Sequence, residues 1–174
     1  MTMGEKKNSE LQLVCAADFS DLTAQSSAAP RKRSHLLLHA GPDDQVQRLV
    51  IAAQPGTYVR PHQHEAQWEM LALQNGCKDI VTFDADGTVL SRITLSRTSP
   101  IVQIPRLVWH TSVVREPDTI VLEIKPGPYA PNRFAEWAPE EAANERDHFC
   151  GGSRAPKPAG GGRNNGWGTG WRAE

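Results

Sequence analysis

The sequence predicts an all-β fold, a double-sheet jelly roll, and three observations support this prediction. After residue 35, nine short runs rich in β-branched and apolar residues follow one another, at 36–39, 46–53, 57–61, 69–73, 79–83, 89–95, 101–104, 111–114 and 119–125. Turn residues such as Asn75-Gly76 and Asp84-Ala85-Asp86-Gly87 separate them, which leaves no room for crossover helices. A double-sheet jelly roll also brings two distant histidine-bearing segments onto adjacent strands.

The chain has 174 residues, enough for one domain with a buried core and tails. Residues 1–30 are mostly polar, and Asp18 to Leu22 are able to cap and begin a helix, so we predict an N-terminal extension with a weak helix. Residues 31–141 hold the β-rich runs and form the predicted domain. Residues 142–174 are rich in Gly and Pro and are predicted to be a flexible tail, because they bury too little apolar area to fold.

The charge composition limits the classes of binding partner that are expected. The net charge is −1, so no broad attraction to nucleic acid or to an acidic membrane surface is expected. Arg31-Lys32-Arg33 is the only dense basic run, and without interleaved aromatic residues it is predicted to be a solvated turn. The partner is therefore expected to be a small-molecule ligand, anionic or sugar-derived, and not nucleic acid or membrane. The sequence leaves a homodimer open.

Cysteine usage and hydropathy indicate the compartment. Cys15, Cys77 and Cys150 are widely spaced and form no Cys-x-x-Cys pair, so neither a disulfide framework nor a zinc knuckle is predicted. The N-terminus shows no apolar targeting segment, and no apolar run approaches the length of a membrane span. We expect a soluble cytoplasmic protein.

A metal site is predicted from four residues. His62 and His64 are two apart, so on an extended strand their side chains point to the same face, and Glu69 follows shortly afterwards. His110, after a Pro-led turn at Pro105, supplies a third imidazole. Three imidazoles and one carboxylate suit one divalent transition metal, iron, manganese, zinc or nickel, with positions left open for water or substrate.

These residues also carry a family resemblance. The stretch from Gly56 to Gly76 resembles the first cupin motif, and residues 105–110 resemble the second, except that Leu107 stands where many cupins have glycine. Narrower matches resemble the WbuC family of cupin-fold metalloproteins within the RmlC-like superfamily: Arg31-Lys32-Arg33-Ser34-His35, His39, Val46-Gln47-Arg48-Leu49, Pro55 to His62, Trp68-Glu69, Lys125-Pro126-Gly127-Pro128-Tyr129 and Phe134 to Glu141. The similarity covers roughly residues 31 to 141.

The resemblance implies more than a fold. The WbuC family is associated with bacterial polysaccharide and O-antigen gene clusters, which implies a sugar or a sugar-derived small molecule, although no reaction is settled for the family. Leu37 departs from it, because an asparagine is expected there. If that position contacts a ligand, the contact is altered or lost in this chain.

Strand alternation nominates substrate-binding residues beside the metal. Tyr58 and Arg60 have the same parity as His62, so a regular strand directs them into the metal cavity, where a guanidinium can hold a carboxylate or phosphate. The alternative for Arg60 is a structural ion pair with Glu69 or Glu123. His39 is a further substrate-binding candidate, because His35 and His39 share one parity and either can lie near the mouth of the barrel; the alternative is that both are ordinary strand histidines.

The family resemblance nominates the remaining candidates. Arg33 lies in the first of the matched segments and is a substrate-binding candidate. Glu123 and Lys125 match the family's Glu-x-Lys-Pro-Gly-Pro-Tyr segment and are candidates for the cavity wall and for a catalytic role. They share one face of a predicted strand, and Ile120, Leu122 and Ile124 share the other. Periodicity alone does not decide which face is inside.

Two classes of function remain open from the sequence. One is a metal enzyme, either an isomerase or epimerase in which Glu123 or Lys125 moves a proton, or an iron-dependent dioxygenase. The other is a cupin that binds or senses a small molecule without turnover. The identity of the metal separates the two classes best, because redox-active iron favours oxygen chemistry, while zinc or manganese favours Lewis-acid chemistry or a structural role.

Overall fold

The computed structural model describes residues 11–141 of the chain. One helix, α1 (Ala16–Ala28), precedes ten strands. The strands are β1 (Arg33–Leu37), β2 (Val46–Ala53), β3 (His62–Gln63), β4 (Glu69–Asn75), β5 (Lys78–Phe83), β6 (Val89–Leu95), β7 (Ile101–Ile104), β8 (Trp109–Val114), β9 (Thr119–Pro126) and β10 (Arg133–Phe134). Residues 1–10 and the predicted tail at 142–174 lie outside the described residues.

The strands form two five-stranded sheets. The first sheet has the order β1-β2-β9-β4-β7, and the second has the order β10-β3-β8-β5-β6. Neighbouring strands in both sheets are antiparallel. The two antiparallel sheets of short strands confirm the predicted all-β jelly roll, in which segments far apart in sequence become neighbours.

Two strands differ from the sequence prediction in a way that affects the site. Residues 57–61 were predicted to form a strand, but regular pairing begins only at His62, after Pro61. Proline has no N–H group with which to join a ladder, so pairing starts after it. The second difference is β10, which pairs Phe134 with His62 and was not predicted. Both differences lie next to the predicted metal ligands.

One apolar core lies inside the barrel. Its buried members come from five strands, β4, β5, β6, β7 and β9: Leu71, Ile80, Leu95, Ile104 and Val121. Leu71 and Ile80 also line the cavity that opens above this core. The barrel interior is therefore apolar at one end and holds the cavity beyond it.

A second apolar core lies outside the barrel, between α1 and the first sheet. Leu22 on α1 is buried with Val50 and Ala52 of β2 and Ile120 of β9. The helix begins where the Asp18 carboxylate accepts a hydrogen bond of 2.7 Å from the backbone N–H of Cys15. The predicted N-terminal helix is thus present, and it is 13 residues long and covers the sheet.

The outer position of this core answers a question that periodicity left open. Ile120 and Leu122 of β9 face the helix, whereas Glu123 and Lys125 line the cavity inside the barrel. The charged face of β9 is inside because α1 provides a second apolar layer for the other face. Among residues 11–141, no helix is long and apolar enough to cross a membrane.

Candidate metal centre

The predicted metal ligands come together at the join of the two sheets. His62 on β3 lies directly opposite His110 on β8, His64 follows β3, and Glu69 is the first residue of β4 in the other sheet. All four side chains are buried, and their candidate ligand atoms lie within 4.8 Å of one another. The structure therefore gathers all four predicted residues into one cluster.

Backbone carbonyls orient two of the imidazoles. His62 Nδ1 lies 2.9 Å from the carbonyl oxygen of Arg60, and His110 Nδ1 lies 2.9 Å from that of Val108. A carbonyl oxygen only accepts hydrogen bonds, so Nδ1 is the protonated nitrogen in both rings. In the neutral form of each ring Nε2 is then the unprotonated acceptor, which is the state that a metal ligand needs.

A loop of the second motif is tied directly to the cluster. The backbone N–H of Leu107 donates to the carbonyl oxygen of His64 over 2.8 Å. Leu107 has a φ of 65°, a left-handed conformation that glycine adopts at less cost, which fits the glycine found there in many cupins. The leucine keeps this conformation, and the side chain is exposed.

The electrostatics favour a neutral His62 beside an ionised Glu69. Burial, with a smaller contribution from His110, lowers the pKa of His62 to about 3. Burial alone raises the pKa of Glu69, but the imidazoles of His110 and His64 outweigh it and hold that pKa well below its usual range. Both shifts keep the side chains in the protonation state that binds a cation.

The donor atoms of the cluster fit a cation. Glu69 Oε2 lies 2.6 Å from His64 Nε2 and 3.8 Å from His110 Nε2. His110 Nε2 and His64 Nδ1 are buried, and neither has a hydrogen-bond partner within the described range. Buried polar atoms are rarely left unpaired, and a divalent cation held by the cluster would be a partner for His110 Nε2. Three nitrogen donors and one carboxylate therefore fit a transition metal.

A cavity of about 240 Å³ opens beside the cluster. This volume is below the ~300–1,000 Å³ typical of pockets for larger ligands, so the cavity suits a small molecule. Its polar lining includes three of the four metal-ligand candidates and several other polar or charged side chains: Arg33, His35, His62, Glu69, Lys78, His110, Ser112, Glu123, Lys125 and Asn132. The apolar end of the barrel forms the rest of the lining.

Glu123 and Lys125 lie on the cavity wall as an ion pair. Lys125 Nζ is 2.8 Å from Glu123 Oε1, and both side chains are largely buried. Burial and the nearby Glu69 carboxylate raise the pKa of Glu123. Burial lowers the pKa of Lys125, but Glu123 and Glu69 more than offset this effect and raise it. The pair holds a proton donor and a proton acceptor beside the metal cluster.

Lys78 is a cavity residue that the sequence analysis missed. It begins β5, it is 7% exposed, and it lines the cavity together with Ile80. The alternation of Lys78 and Ile80 along β5 is the only trace in the sequence, and it does not say which face is inside. His35, which strand parity placed with His39 near the barrel mouth, lines the cavity from β1.

The predicted placement of Arg60 and Tyr58 is wrong. Thr57 and Val59 line the cavity, whereas Tyr58 and Arg60 do not. Side chains alternate along the extended segment, so Tyr58 and Arg60 point away from the cavity. The Arg60 guanidinium donates to the carbonyl oxygen of Ala135 and lies over the Phe134 ring, 5.7 Å from its centre. It does not pair with Glu69 or Glu123 either. The parity argument failed because the strand is broken at Pro61.

The Tyr58 side chain is also engaged away from the cavity. Tyr58 is buried, and its hydroxyl group donates to the carbonyl oxygen of Pro139 over 2.8 Å. Both Tyr58 and Arg60 thus hold the segment that follows β10 against the barrel. These contacts are structural ones.

Of the two substrate-binding candidates near the start of the domain, Arg33 lines the cavity and His39 does not. Arg33 lines the cavity, where its guanidinium donates to the carbonyl oxygen of Tyr58 and pairs with Glu141 at 2.7 Å. The prediction for His39 is wrong, because β1 ends at Leu37 and the His39 ring bonds instead to the Arg48 backbone. Leu37, where the family resemblance led us to expect asparagine, is 57% exposed at the end of β1. It pairs with Leu49 of β2, and Leu49 lines the cavity.

The chain is similar to one protein family and to several solved structures. Residues 14–95 match the profile of a domain of unknown function, DUF6016. No curated protein matches the chain. Similar solved structures include KdgF from Halomonas sp., with 20% identity over 59% of this chain and 84% of that chain and a TM-score of 0.47.

Two further similar structures are cupin proteins. A cupin 2 domain-containing protein from Halorhodospira halophila has 16% identity over 59% of this chain and 69% of that chain, with a TM-score of 0.49. A cupin-2 domain containing protein from Shewanella frigidimarina has 19% identity over 54% of this chain and 80% of that chain, with a TM-score of 0.43.

The architecture and the site define the class of protein. Two five-stranded antiparallel sheets with three histidines and a glutamate clustered at their join make this a cupin-fold protein whose cluster is compatible with metal binding. Membership of the WbuC family stays a prediction, and it rests on the sequence resemblance alone.

Proposed function

We propose that this chain is a metal-dependent cupin that binds a small molecule at one divalent transition metal held by His62, His64, Glu69 and His110. The observation that carries the proposal is the buried unpaired nitrogen of His110, which lies in a cluster of four buried donors beside a cavity. Imidazole nitrogens and an ionised carboxylate stabilise a bound cation, and the cation would pair with buried polar atoms that otherwise have no partner among the described residues.

The ligand is proposed to be small and either anionic or sugar-derived. The cavity volume of about 240 Å³ supports a small ligand, and the lysines and arginine of its wall support an anionic one. The sugar, with a role in polysaccharide or O-antigen synthesis, is supported only by the resemblance of residues 31–141 to the WbuC family. A cytoplasmic location is supported by the wide spacing of the cysteines. A homodimer stays open.

An isomerase or epimerase is the reaction that the cavity wall supports best. A bound divalent metal supplies a Lewis acid that polarises a carbonyl group of the ligand. Glu123 and Lys125, paired at 2.8 Å, are placed to take a proton from one position and return it to another. The raised pKa of Glu123 makes its carboxylate a stronger base than an exposed one.

Two alternatives use the same cluster. If the metal is iron, a dioxygenase is supported, because the three-histidine, one-carboxylate set leaves positions open for other ligands. If the cavity binds a ligand without turnover, the protein is a binding or sensing cupin, and Glu123 and Lys125 serve only to hold the ligand.

The test has two stages. Protein purified without added metal is analysed for iron, manganese, zinc and nickel, and protein loaded with the metal found is then screened against sugar nucleotides, free sugars and small organic acids. Turnover that is lost in Glu123→Gln while binding persists supports the isomerase. Binding without turnover in every case supports the sensing cupin, and oxygen consumption by the iron form supports the dioxygenase. Absence of metal from the wild-type protein contradicts all three.

A further inference from the structure

Lys78 is the charged group in the cavity that has no partner. Its side chain is 7% exposed, it lines the cavity, and it makes no hydrogen bond or ion pair with any residue in the stretch from 11 to 141. Burial lowers the pKa of Lys78, and the charges of Glu69 and Glu123 oppose this effect without contacting the ammonium group. A buried ammonium group without a partner is uncommon, because moving it out of water costs several kcal/mol.

The other charges of the cavity are already matched. Lys125 pairs with Glu123 at 2.8 Å, and Arg33 pairs with Glu141 at 2.7 Å. Glu69 faces the imidazoles of the metal cluster. None of these carboxylates is free to neutralise Lys78, and a divalent metal would add further positive charge. The cavity therefore lacks negative charge, and the ligand is the remaining source of it.

We propose that Lys78 is the anion-binding group of this cavity, and that the natural ligand is a small organic acid with a carboxylate group on Lys78 and another oxygen atom toward the metal cluster. This proposal rests on the proposed function for its metal-facing half only. Lys78 and the cluster residues Glu69 and His110 line the same cavity, so a short molecule reaches both.

The chemistry favours a carboxylate over a larger anion. Lysine offers one compact charge, and the planar fork of Arg33, the group best suited to grip a phosphate, is taken up by Glu141 and the carbonyl oxygen of Tyr58. A cavity of about 240 Å³ also leaves little room beyond a short carbon chain. With a metal bound, the excess positive charge matches an anion with two carboxylates better than one with a single carboxylate.

The test is calorimetric titration with malonate, a three-carbon dicarboxylate, and with malonamide, its uncharged counterpart. The variants are Lys78→Met, which keeps the length of the side chain and removes the charge, and Lys32→Met, which removes the same charge from an exposed position outside the cavity. The wild-type protein and Lys32→Met are expected to bind malonate equally, and Lys78→Met to bind it roughly ten- to a hundredfold more weakly. None of the three is expected to bind malonamide better than malonate.

Each outcome decides the proposal. Equal malonate binding by Lys78→Met and the wild-type protein overturns it, and so does a wild-type dissociation constant weaker than about 10 mM. Lys78→Gln is prepared in parallel, and the variant that unfolds as cooperatively as the wild-type protein is used. If neither folds, Lys78 is a structural residue and the proposal is wrong.

The same samples separate this proposal from the proposed function. All titrations are run on metal-loaded and metal-free protein, with the metal content measured by elemental analysis. A wild-type protein that takes up no metal but binds malonate through Lys78 contradicts the metal-based function and supports the anion site. A protein that holds its metal but binds malonate independently of Lys78 supports the metal-based function and contradicts the anion site.

Discussion

The two faces of the first sheet are stabilised in opposite ways. Its outer face packs Val50, Ala52 and Ile120 against Leu22 of α1, an apolar contact that needs nothing further. Its inner face, toward the cavity, carries Glu69 from β4, with Glu123 and Lys125 from β9, close to the buried Lys78 of the other sheet. The outer face stabilises the fold, whereas the inner face is arranged to bind.

The comparison shows why the same strand serves both purposes. Side chains alternate along β9, so one strand presents Ile120 and Leu122 to the helix and Glu123 and Lys125 to the cavity. The helix removes the apolar face from water, and the interior is then free to hold charged groups. Substitutions on the two faces should consequently have different effects, in metal affinity on one side and in stability on the other.

The largest expected effect is at the metal cluster, where Glu69 of the inner face meets His110 of the second sheet. His110→Ala should lower metal affinity by more than about 100-fold, because even outer partners of metal ligands contribute 10–100-fold. His39→Ala is the matched control, since His39 bonds to the Arg48 backbone and lies outside the cluster. Competition with a chromophoric chelator measures both. Equal metal affinities in the two variants would show that His110 is not a metal ligand.

The next effect is on the outer face. Leu22→Ala should lower the free energy of unfolding by about 2–5 kcal/mol, because it opens a cavity between α1 and the sheet. Gln25→Ala, on the exposed side of the same helix, should change it by less than about 0.5 kcal/mol. Urea denaturation compares them, and metal content should stay the same in both. A Leu22→Ala protein as stable as Gln25→Ala would show that the helix does not hold the sheet.

A pH effect of intermediate size is expected from His62. Its pKa is about 3 in the folded protein against 6.5 without the fold, so the unfolded chain binds more protons between these values and stability falls as pH falls below 6.5. Between pH 7 and pH 5 the loss is about 2 kcal/mol. In metal-free protein this corresponds to a decrease of about 4–8 °C in Tm.

The control for this prediction is His62→Gln, also free of metal. Other cavity groups titrate in both proteins, so the difference between the two pH profiles isolates the contribution of His62. Identical profiles would mean that His62 is not buried in its neutral form.

The smallest effect is expected outside both faces, at Arg60, which precedes β3 of the second sheet. Arg60→Ala removes the hydrogen bonds from the guanidinium to the carbonyl oxygen of Ala135 and should lower stability by about 1 kcal/mol. Malonate binding should be unchanged, because the side chain lies outside the cavity lining. Arg97→Ala, an exposed arginine, is the control for loss of charge. Weaker malonate binding in Arg60→Ala but not in Arg97→Ala would show that Arg60 contributes to ligand binding in the cavity.

The fold and the metal cluster could be predicted from the sequence because both depend on local patterns. Turn residues between short runs gave the strands, and the spacing of His62 and His64 gave a shared face. Arg60 and Tyr58 could not be placed by the same alternation, because Pro61 interrupts the strand before His62. His39 failed for a similar reason, since β1 ends two residues before it.

Lys78 could not be found because its significance is not local. Alternation assigns Lys78 and Ile80 to one face of β5, but only the packing of the two sheets decides that this face is inside. For β9, likewise, the outcome depended on α1 covering the apolar face, a contact between segments far apart in the chain. Which face of a strand is buried is a property of the assembled layers.

The most direct test of the central claim is elemental analysis of the wild-type protein and of the double variant His62→Ala/His110→Ala, both purified without added metal. Our account predicts close to one transition metal per chain in the wild-type protein and none in the double variant, with similar β-sheet content in the circular dichroism of both. Equal metal content in the two proteins, or no metal in the wild-type protein even after incubation with iron, manganese, zinc and nickel, would contradict it.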